Sequence, residues 1–311
     1  MPATTTRARK TATRSKKKVA AKKTTKKATK KAAKKAAKKA AKKAAKKAAK
    51  KAAKKAAKKA AKKAAKKAAK KAAKKAAKKT TSLKKTPIFT PAMLRFLGEL
   101  ALNNERDWFN ANKQRYEDDV REPALALIRA MAPKLARLAP SLVASDKKVG
   151  GSLMRIYRDT RFGADKTPYK TNVGIQFRHR AGKDVHAPGL YIHVEPGEMF
   201  LGAGLWRPDR EPLAALRKAI ADDPKSWRRA KGNKKFTTDW SLAGESLKRP
   251  PRGFDADHPE IEDIKRKDFI ATCPVPVSEL FEADLPDRLM ARFRSAKPFF
   301  AYLVKVLDLT L

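Results

Sequence analysis

Apolar residues recur at helical spacing at the start of the region after residue 85. Thr90-Pro91 has the form of an N-cap followed by proline in the first turn of a helix. The pattern then predicts one inward face, made by Met93, Leu94, Leu97, Leu100 and Ala101. Asn103-Asn104 ends this helix and begins a second, whose inward residues are Trp108, Phe109, Tyr116 and Val120. Pro123 breaks or kinks the second helix. A third runs from Ala124 to Leu138 with its apolar face made by Leu125, Ile128, Met131 and Leu135.

After Gly150-Gly151 the period changes to two, which is typical of strands. Four segments fit: Ser152–Asp159, Thr171–Arg180, Gly189–Glu195 and Met199–Trp206. Pro196-Gly197 is a hairpin turn signal. Connections this short require antiparallel pairing, because parallel strands need a long crossover.

Helical spacing returns at Leu213–Ala221 and at Asp287–Leu309, and Phe269–Val275 is a candidate edge strand. The order of helices, meander and helices predicts an α+β domain. It has N-terminal helices, an antiparallel sheet of four or more strands, and C-terminal helices.

Residues 1–85 show neither the helical spacing nor the period of two that is typical of strands. A Lys-Lys-Ala-Ala repeat runs from Lys30 to Lys79, and residues 1–85 hold 39 Lys and Arg with no Asp or Glu. The remaining residues hold 39 Lys and Arg against 30 Asp and Glu, so most of the net charge of +48 lies in the first 85 residues. Lysines three and four apart repel each other in a helix, and no apolar stripe is present. We expect a long disordered tail over residues 1–85 and a single domain over residues 86–311.

The repeat resembles the lysine- and alanine-rich tails of bacterial linker-histone-like proteins and of eukaryotic linker histones. That resemblance implies DNA binding, or RNA binding, that ignores sequence and depends steeply on salt. Its contacts would be made by lysines such as Lys30, Lys31, Lys34, Lys35, Lys38, Lys39, Lys42, Lys43, Lys46 and Lys47. An anionic lipid surface and a solvated repeat without function are the alternatives.

Other features of the sequence indicate the cellular compartment in which the protein is expected. Cys273 is the single cysteine, which excludes a disulfide within the chain and fits a reducing environment. No apolar stretch is long enough to cross a bilayer, and the N-terminus lacks the apolar segment of a secretory signal. We expect a cytoplasmic, nucleoid-associated protein without membrane insertion; its cofactor and oligomeric state stay open.

Charge is concentrated between Arg155 and Lys170, where seven of sixteen residues are charged. In one interpretation these residues form ion pairs that fix a loop to the sheet. In the other, the polar face of the sheet binds an anionic ligand, because arginine matches phosphate or carboxylate in bidentate geometry. Trp206 would stand at the edge of this face. The candidate ligand-binding residues are Arg155, Arg158, Asp159, Arg161, Asp165, Lys166, Tyr169, Gln176, Arg178, His193 and Glu195.

The same segment resembles a known family, the bacterial and fungal proteins grouped as domain of unknown function 2461. The family pattern is Arg-x-x-Arg-Asp-x-Arg-Phe, two residues, Asp or Asn, Lys, two residues and Tyr. It is met in full from Arg155 to Tyr169, and the opening FTPAMLRFLGEL also looks like the start of the family. The resemblance covers nearly all of residues 86–311 and implies no particular activity.

Catalysis is an open alternative. Asp159 and Glu195 are candidates for a hard divalent metal, with His193 as base or ligand. The order Asp159, Gln176 and Arg178 is faintly similar to a metal-dependent nuclease, although Gln176 replaces an acid there. The spacing of His186, His193 and Glu195 argues against zinc, so no metal site is predicted. The second hypothesis is therefore an enzyme of unknown reaction, localised to nucleic acid by its tail.

Overall fold

The computed structural model describes residues 86–161, 163–182 and 186–311. The lysines from Lys30 to Lys47, predicted to contact nucleic acid, lie outside these residues, as does Phe162 of the charged motif. The described residues belong to one compact unit, Lys85–Leu311. Within them, none of the helices has the length and apolar character needed to cross a membrane.

Helices and strands follow the predicted order of an α+β fold. The first half contains α1 (Pro91–Leu102), α2 (Arg106–Ala111), α3 (Lys113–Arg115), a π-helical turn (Tyr116–Arg121), α4 (Glu122–Leu138), β1 (Val173–Arg178), β2 (Gly189–Glu195) and β3 (Glu198–Leu205). The second half contains α5 (Arg210–Asp222), α6 (Pro224–Lys231), α7 (Lys234–Asp239), β4 (Ser241–Ala243), α8 (Ile261–Ile264), β5 (Phe269–Pro274), a 3-10 turn (Val277–Phe281), α9 (Leu285–Ser295) and α10 (Lys297–Val306).

The N-terminal helices pack through the residues that the spacing predicted, with one error. Thr90 is the N-cap of α1, although its side chain makes no capping hydrogen bond. Met93, Leu97 and Leu100 are buried, but Ala101 is exposed. The face of α1 turns instead toward Phe96, whose ring packs against Trp108, Phe109 and Tyr116. The large ring of Phe96 occupies the buried face of α1, so the small side chain of Ala101 lies outside that face and is exposed.

The sheet has five antiparallel strands in the order β1-β2-β3-β5-β4. Its covered face carries the buried side chains of the alternating pattern, such as Ile175, Ile192 and Leu201. Helix α4 contacts β1 on this face, and α10 contacts β3. The opposite face of the sheet carries the residues between these positions, and it is here that a cleft forms.

Three predicted boundaries were wrong. Segment Ser152–Asp159 is not a strand, because only its start lies against β1, where the Met154 amide donates to the Gly174 carbonyl. Strand β5 is not at the edge of the sheet, since the unpredicted three-residue β4 pairs beyond it. The long C-terminal helix is two helices, because Pro298 in the first turn of α10 cannot continue α9.

A buried charged cluster joins α6 to α8. Asp263 is only 6% exposed, and its Oδ2 accepts a hydrogen bond from the Trp227 indole at 2.7 Å. Lys231 and Arg266 also donate to this carboxylate, and Lys231 reaches Glu260 as well. Burial opposes ionisation of Asp263, but the hydrogen bonds from Lys231, Arg266 and Trp227 outweigh it and lower its pKa. The cluster therefore links α6 to α8 through buried charged hydrogen bonds.

Candidate functional site

The face of the sheet opposite the helices holds a cleft of about 500 Å³. Strands β1, β2, β3 and β5 form its floor, and Met154 and Lys170 reach it from the segment that precedes β1. The side chains that contribute to its lining include Met154, Lys170, Gln176, Tyr191, Phe200, Trp206, Ile270 and Thr272. The cleft is therefore mainly apolar, with a few polar groups placed around its wall.

Glycine residues leave part of the floor of the cleft without side chains. Gly189 and Gly204 face each other across β2 and β3, and Gly202 faces Tyr191 in the same pairing. Gly204 has φ +129°, a conformation that other residues rarely adopt, and a side chain there would overlap the backbone of Phe269. At Gly202 an added Cβ would lie 3.2 Å from the Cβ of Tyr191. Side chains at these positions would meet the neighbouring strand backbone or Tyr191, so main chain forms this part of the floor.

Lys170 brings a positive charge into this apolar surface. Its side chain is half-buried, and burial together with repulsion from Arg155 lowers its pKa. Arg155 is close enough to Asp159 to help lower the pKa of that carboxyl, but Asp159 is hydrogen-bonded to Arg161. Lys170 has no acidic side chain and no side-chain hydrogen bond as partner among the described residues. A half-buried lysine without an acidic partner, next to a second cation, forms a surface that attracts an anion.

Tyr191 links the cleft to the end of β2. Its hydroxyl lies 3.2 Å from Nδ1 of His193, and burial raises its pKa to about 12. The phenol therefore stays protonated at neutral pH and remains available to donate or accept a hydrogen bond. The His193 ring stacks on Phe200 with centroids 4.6 Å apart. Tyr191 and Phe200 thus belong both to the cleft wall and to the surroundings of His193.

Trp206 stands at the rim of the cleft, with 44% of its surface exposed. The guanidinium of Arg207 lies 4.8 Å from its ring centroid, and the His186 ring is nearly parallel to it. Arg207 itself has φ +46° and is anchored where its amide donates to Asp268. These contacts hold the indole at the opening of the cleft, where its exposed surface is available to an apolar group of a ligand.

The charged motif forms a separate, exposed loop. Arg161 donates to both carboxylate oxygens of Asp159, at 2.9 and 2.7 Å, and Arg158 pairs with Asp165. Hydrogen bonds from Arg161 lower the pKa of Asp159 to about 2. Hydrogen bonds from the Thr167 amide and hydroxyl, and then from Arg158, do the same for Asp165. These pairs lie within the loop, so its charges neutralise one another.

The ends of this loop are fixed by aromatic packing. The Tyr169 ring stacks on Phe109 with centroids 4.1 Å apart and also contacts Tyr157. Asn104 accepts a hydrogen bond from the Tyr169 amide and donates to its carbonyl oxygen. Tyr169 is therefore buried in the contact between the loop and the first helices, and this contact positions the next residue, Lys170.

The predicted site residues consequently separate into three groups. Gln176 lies in the cleft, and Arg155 lies close enough to Lys170 to lower its pKa. His193 and Glu195 lie together at the end of β2, with Nε2 and Oε2 3.4 Å apart. The remaining residues lie in the loop or bond to the backbone: Arg158, Asp159, Arg161, Asp165, Lys166, Tyr169 and Arg178.

Sequence reasoning missed Lys170, Thr272 and the glycine floor. A signal for Lys170 was present, because period two extends backward from Gln176 through Gly174 and Asn172 to position 170. Thr272 carried no such signal, since β5 lies about seventy residues from β3 and joins it only through the fold.

A known protein family matches most of the described domain. The family described as "Conserved hypothetical protein (DUF2461)" matches residues 92–302. Searches of the curated proteins and of the solved structures gave no match to this chain.

Proposed function

The chain belongs to the family of conserved hypothetical proteins DUF2461, and we propose that the domain it shares with that family binds a small anionic ligand in the sheet-face cleft. The observation that carries the proposal is the half-buried Lys170, which lies beside Arg155 and has no acidic partner among the described residues. A half-buried lysine beside a second cation lowers stability in the absence of a bound anion. Such an arrangement is typical of binding sites.

The ligand also needs an apolar or aromatic body. Most of the cleft surface is made by Met154, Tyr191, Phe200, Trp206 and the glycine floor. Burying apolar surface against these groups supplies affinity, while Lys170, Gln176 and Thr272 provide polar contacts that fix orientation. We therefore expect an amphipathic anion, such as an aromatic carboxylate, sulfonate or phosphate, rather than an inorganic ion.

Replacing Lys170 by Met separates binding from folding. Met has a similar length without the charge, so we expect Lys170→Met to weaken binding of an aromatic sulfonate by ten- to hundredfold, equivalent to about 1.5–3 kcal/mol. The same change removes a poorly solvated cation and should raise the melting temperature by about 1–2 °C. Fluorescence titration with anilinonaphthalene sulfonate measures the first effect and calorimetry the second.

The control is Lys225→Met, which removes an exposed lysine from α6, outside the cleft lining. All variants carry the same basic tail, so any binding of the probe to the tail cancels in the comparison. If Lys170→Met binds the probe as tightly as Lys225→Met does, the cleft cations do not bind anions and the proposal fails. A fall in stability would instead assign Lys170 a structural role.

The tail adds a second activity, nonspecific association with nucleic acid. Its support is compositional: 39 Lys and Arg without one acid in residues 1–85, and no aromatic residue before Phe89 for base stacking. Lysine contacts phosphate as a point charge and does not read base edges in the bidentate manner of arginine. On this proposal the tail attaches the protein to nucleic acid, and the domain binds its ligand in the cleft while the protein is attached.

A further inference from the structure

Three side chains that commonly bind metal ions meet at the turn between β2 and β3. Glu195 and Glu198 are directly opposite each other across the Pro196-Gly197 turn. His193 lies two residues before Glu195 and therefore on the same face of the sheet. One nitrogen of His193 and one oxygen from each glutamate lie within 4.8 Å of one another.

The imidazole of His193 is held with Nε2 toward the carboxylates. Phe200 stacks on the ring, and Nδ1 lies 3.2 Å from the Tyr191 hydroxyl and 3.4 Å from Nδ2 of Asn172. Histidine ligands are commonly oriented through a hydrogen bond at the nitrogen that does not bind the metal. When Nε2 binds a metal, Nδ1 carries the proton and donates it to the tyrosine oxygen, and the Asn172 amide turns its oxygen rather than its NH2 group toward the ring.

The two glutamates lack a fixed positive partner. Like charges directly opposite each other in a hairpin repel. Within the part of the chain that the structure describes, Glu195 pairs only with His193, and Glu198 has no ion pair or side-chain hydrogen bond. Other acids of this domain pair with arginine or lysine, as Asp263 and Glu260 do. The hairpin thus collects negative charge that no lysine or arginine side chain balances.

We propose that His193, Glu195 and Glu198 bind a divalent transition-metal ion, with Zn²⁺ the best match. Nitrogen and oxygen ligands at about 2.0–2.2 Å from a tetrahedral ion lie roughly 3.4 Å apart. The separation between Nε2 of His193 and Oε2 of Glu195 already has this value, at 3.4 Å. A small rotation of the exposed Glu198 side chain would bring the third ligand into place. Three protein ligands leave the fourth position open to water or to a further ligand.

The histidine among the three ligands indicates which metal ions the site would prefer. Ca²⁺ and Mg²⁺ prefer oxygen ligands, and Ca²⁺ takes six to eight of them. An imidazole with two carboxylates suits Zn²⁺ and its neighbours in the first transition series. We therefore expect Zn²⁺ to bind and Ca²⁺ and Mg²⁺ to bind much more weakly.

Isothermal titration of the full chain, after removal of metal with a chelator, tests the site. The tail does not compete, because residues 1–85 contain no His, Cys, Asp or Glu. We expect one Zn²⁺ per chain, and a loss of affinity of at least about tenfold in Glu198→Gln, whose exposed side chain has no folding role. His193→Gln should abolish saturable binding. Co²⁺ should give a visible absorption band that is lost in the same variant.

Glu211→Gln is the matched control, since Glu211 is an exposed glutamate outside the hairpin. Circular dichroism of each variant verifies the fold. The proposal is overturned if the wild-type chain takes up no Zn²⁺, or if Glu198→Gln binds it as tightly as Glu211→Gln. Saturable binding that persists in His193→Gln would place the metal elsewhere and overturn it equally.

Discussion

Removal of residues 1–85 is expected to abolish binding to double-stranded DNA at physiological salt, while the full chain binds with a steep dependence on salt. The full chain carries 39 Lys and Arg in this region. If only six to ten of them neutralise phosphates, affinity falls by about 10³–10⁵ between 50 and 200 mM salt, because each contact releases condensed counterions. Fluorescence anisotropy with a labelled duplex, measured over a salt series, gives both the affinity and the slope.

A charge-reduced tail provides the matched control for this experiment. Replacing the ten lysines from Lys30 to Lys47 by Gln keeps the length of the tail and should reduce the slope by as much as about nine. Duplexes of unrelated sequence should bind alike. If residues 86–311 alone bind with the same affinity and slope as the full chain, the tail is not the nucleic-acid module.

Replacing Asp263 by Asn is expected to lower stability by about 3–5 kcal/mol, the typical cost of removing one partner from a buried ion pair. Asn carries no charge and has a single acceptor oxygen, so Lys231, Arg266 and the Trp227 indole would share one neutral oxygen in place of the two of the carboxylate. For a domain of this size the melting temperature should fall by roughly 10 °C. Differential scanning calorimetry of the full chain measures it.

The pH dependence of this effect has a definite sign. Because the folded-state pKa of Asp263 is lowered, its contribution is fully present above the unfolded value near 3.8 and disappears as the pH falls through the lower folded value. The difference between the wild-type chain and Asp263→Asn should therefore shrink below about pH 3.8. Asp222→Asn, which removes an exposed ion pair with Lys218, should cost less than about 1 kcal/mol. Equal losses of stability in both variants would contradict the expectation that a buried ion pair contributes more than an exposed one.

Local patterns predicted those parts of the fold that depend on nearby residues. The bounds of β2 follow from strict alternation between Gly189 and Glu195. The apolar face and the end of α4 follow from the spacing of Leu125, Ile128, Met131 and Leu135, although the helix begins at Glu122 and not at Ala124. Strand β4 was missed because three residues are too few to show a period. Helix α6 was missed because its polar sequence buries little beyond Trp227 and Ala230.

The cleft could not be predicted in the same way, because it depends on the order of strands in space. Alternation placed Gln176, Tyr191 and His193 on one face, and they do share that face. The pairing of β3 with β5, which adds Ile270 and Thr272, depends on contacts distant in the chain. Glu198 also escaped notice, because its place opposite Glu195 follows only when the hairpin register is known.

The π-helical turn at Tyr116–Arg121 marks a place where a residue can be inserted or deleted without turning the helix that follows. Adding one residue to a regular α-helix rotates everything beyond it by about 100° and turns a buried stripe toward solvent. A π-helical turn absorbs the additional residue locally. Here Tyr116 and Val120 are buried within the turn, and α4 continues with its own apolar face inward. Deleting the exposed Asp118 would therefore shorten the turn toward ordinary helix, and this is the place in the first helices where the loss of one residue should be best tolerated.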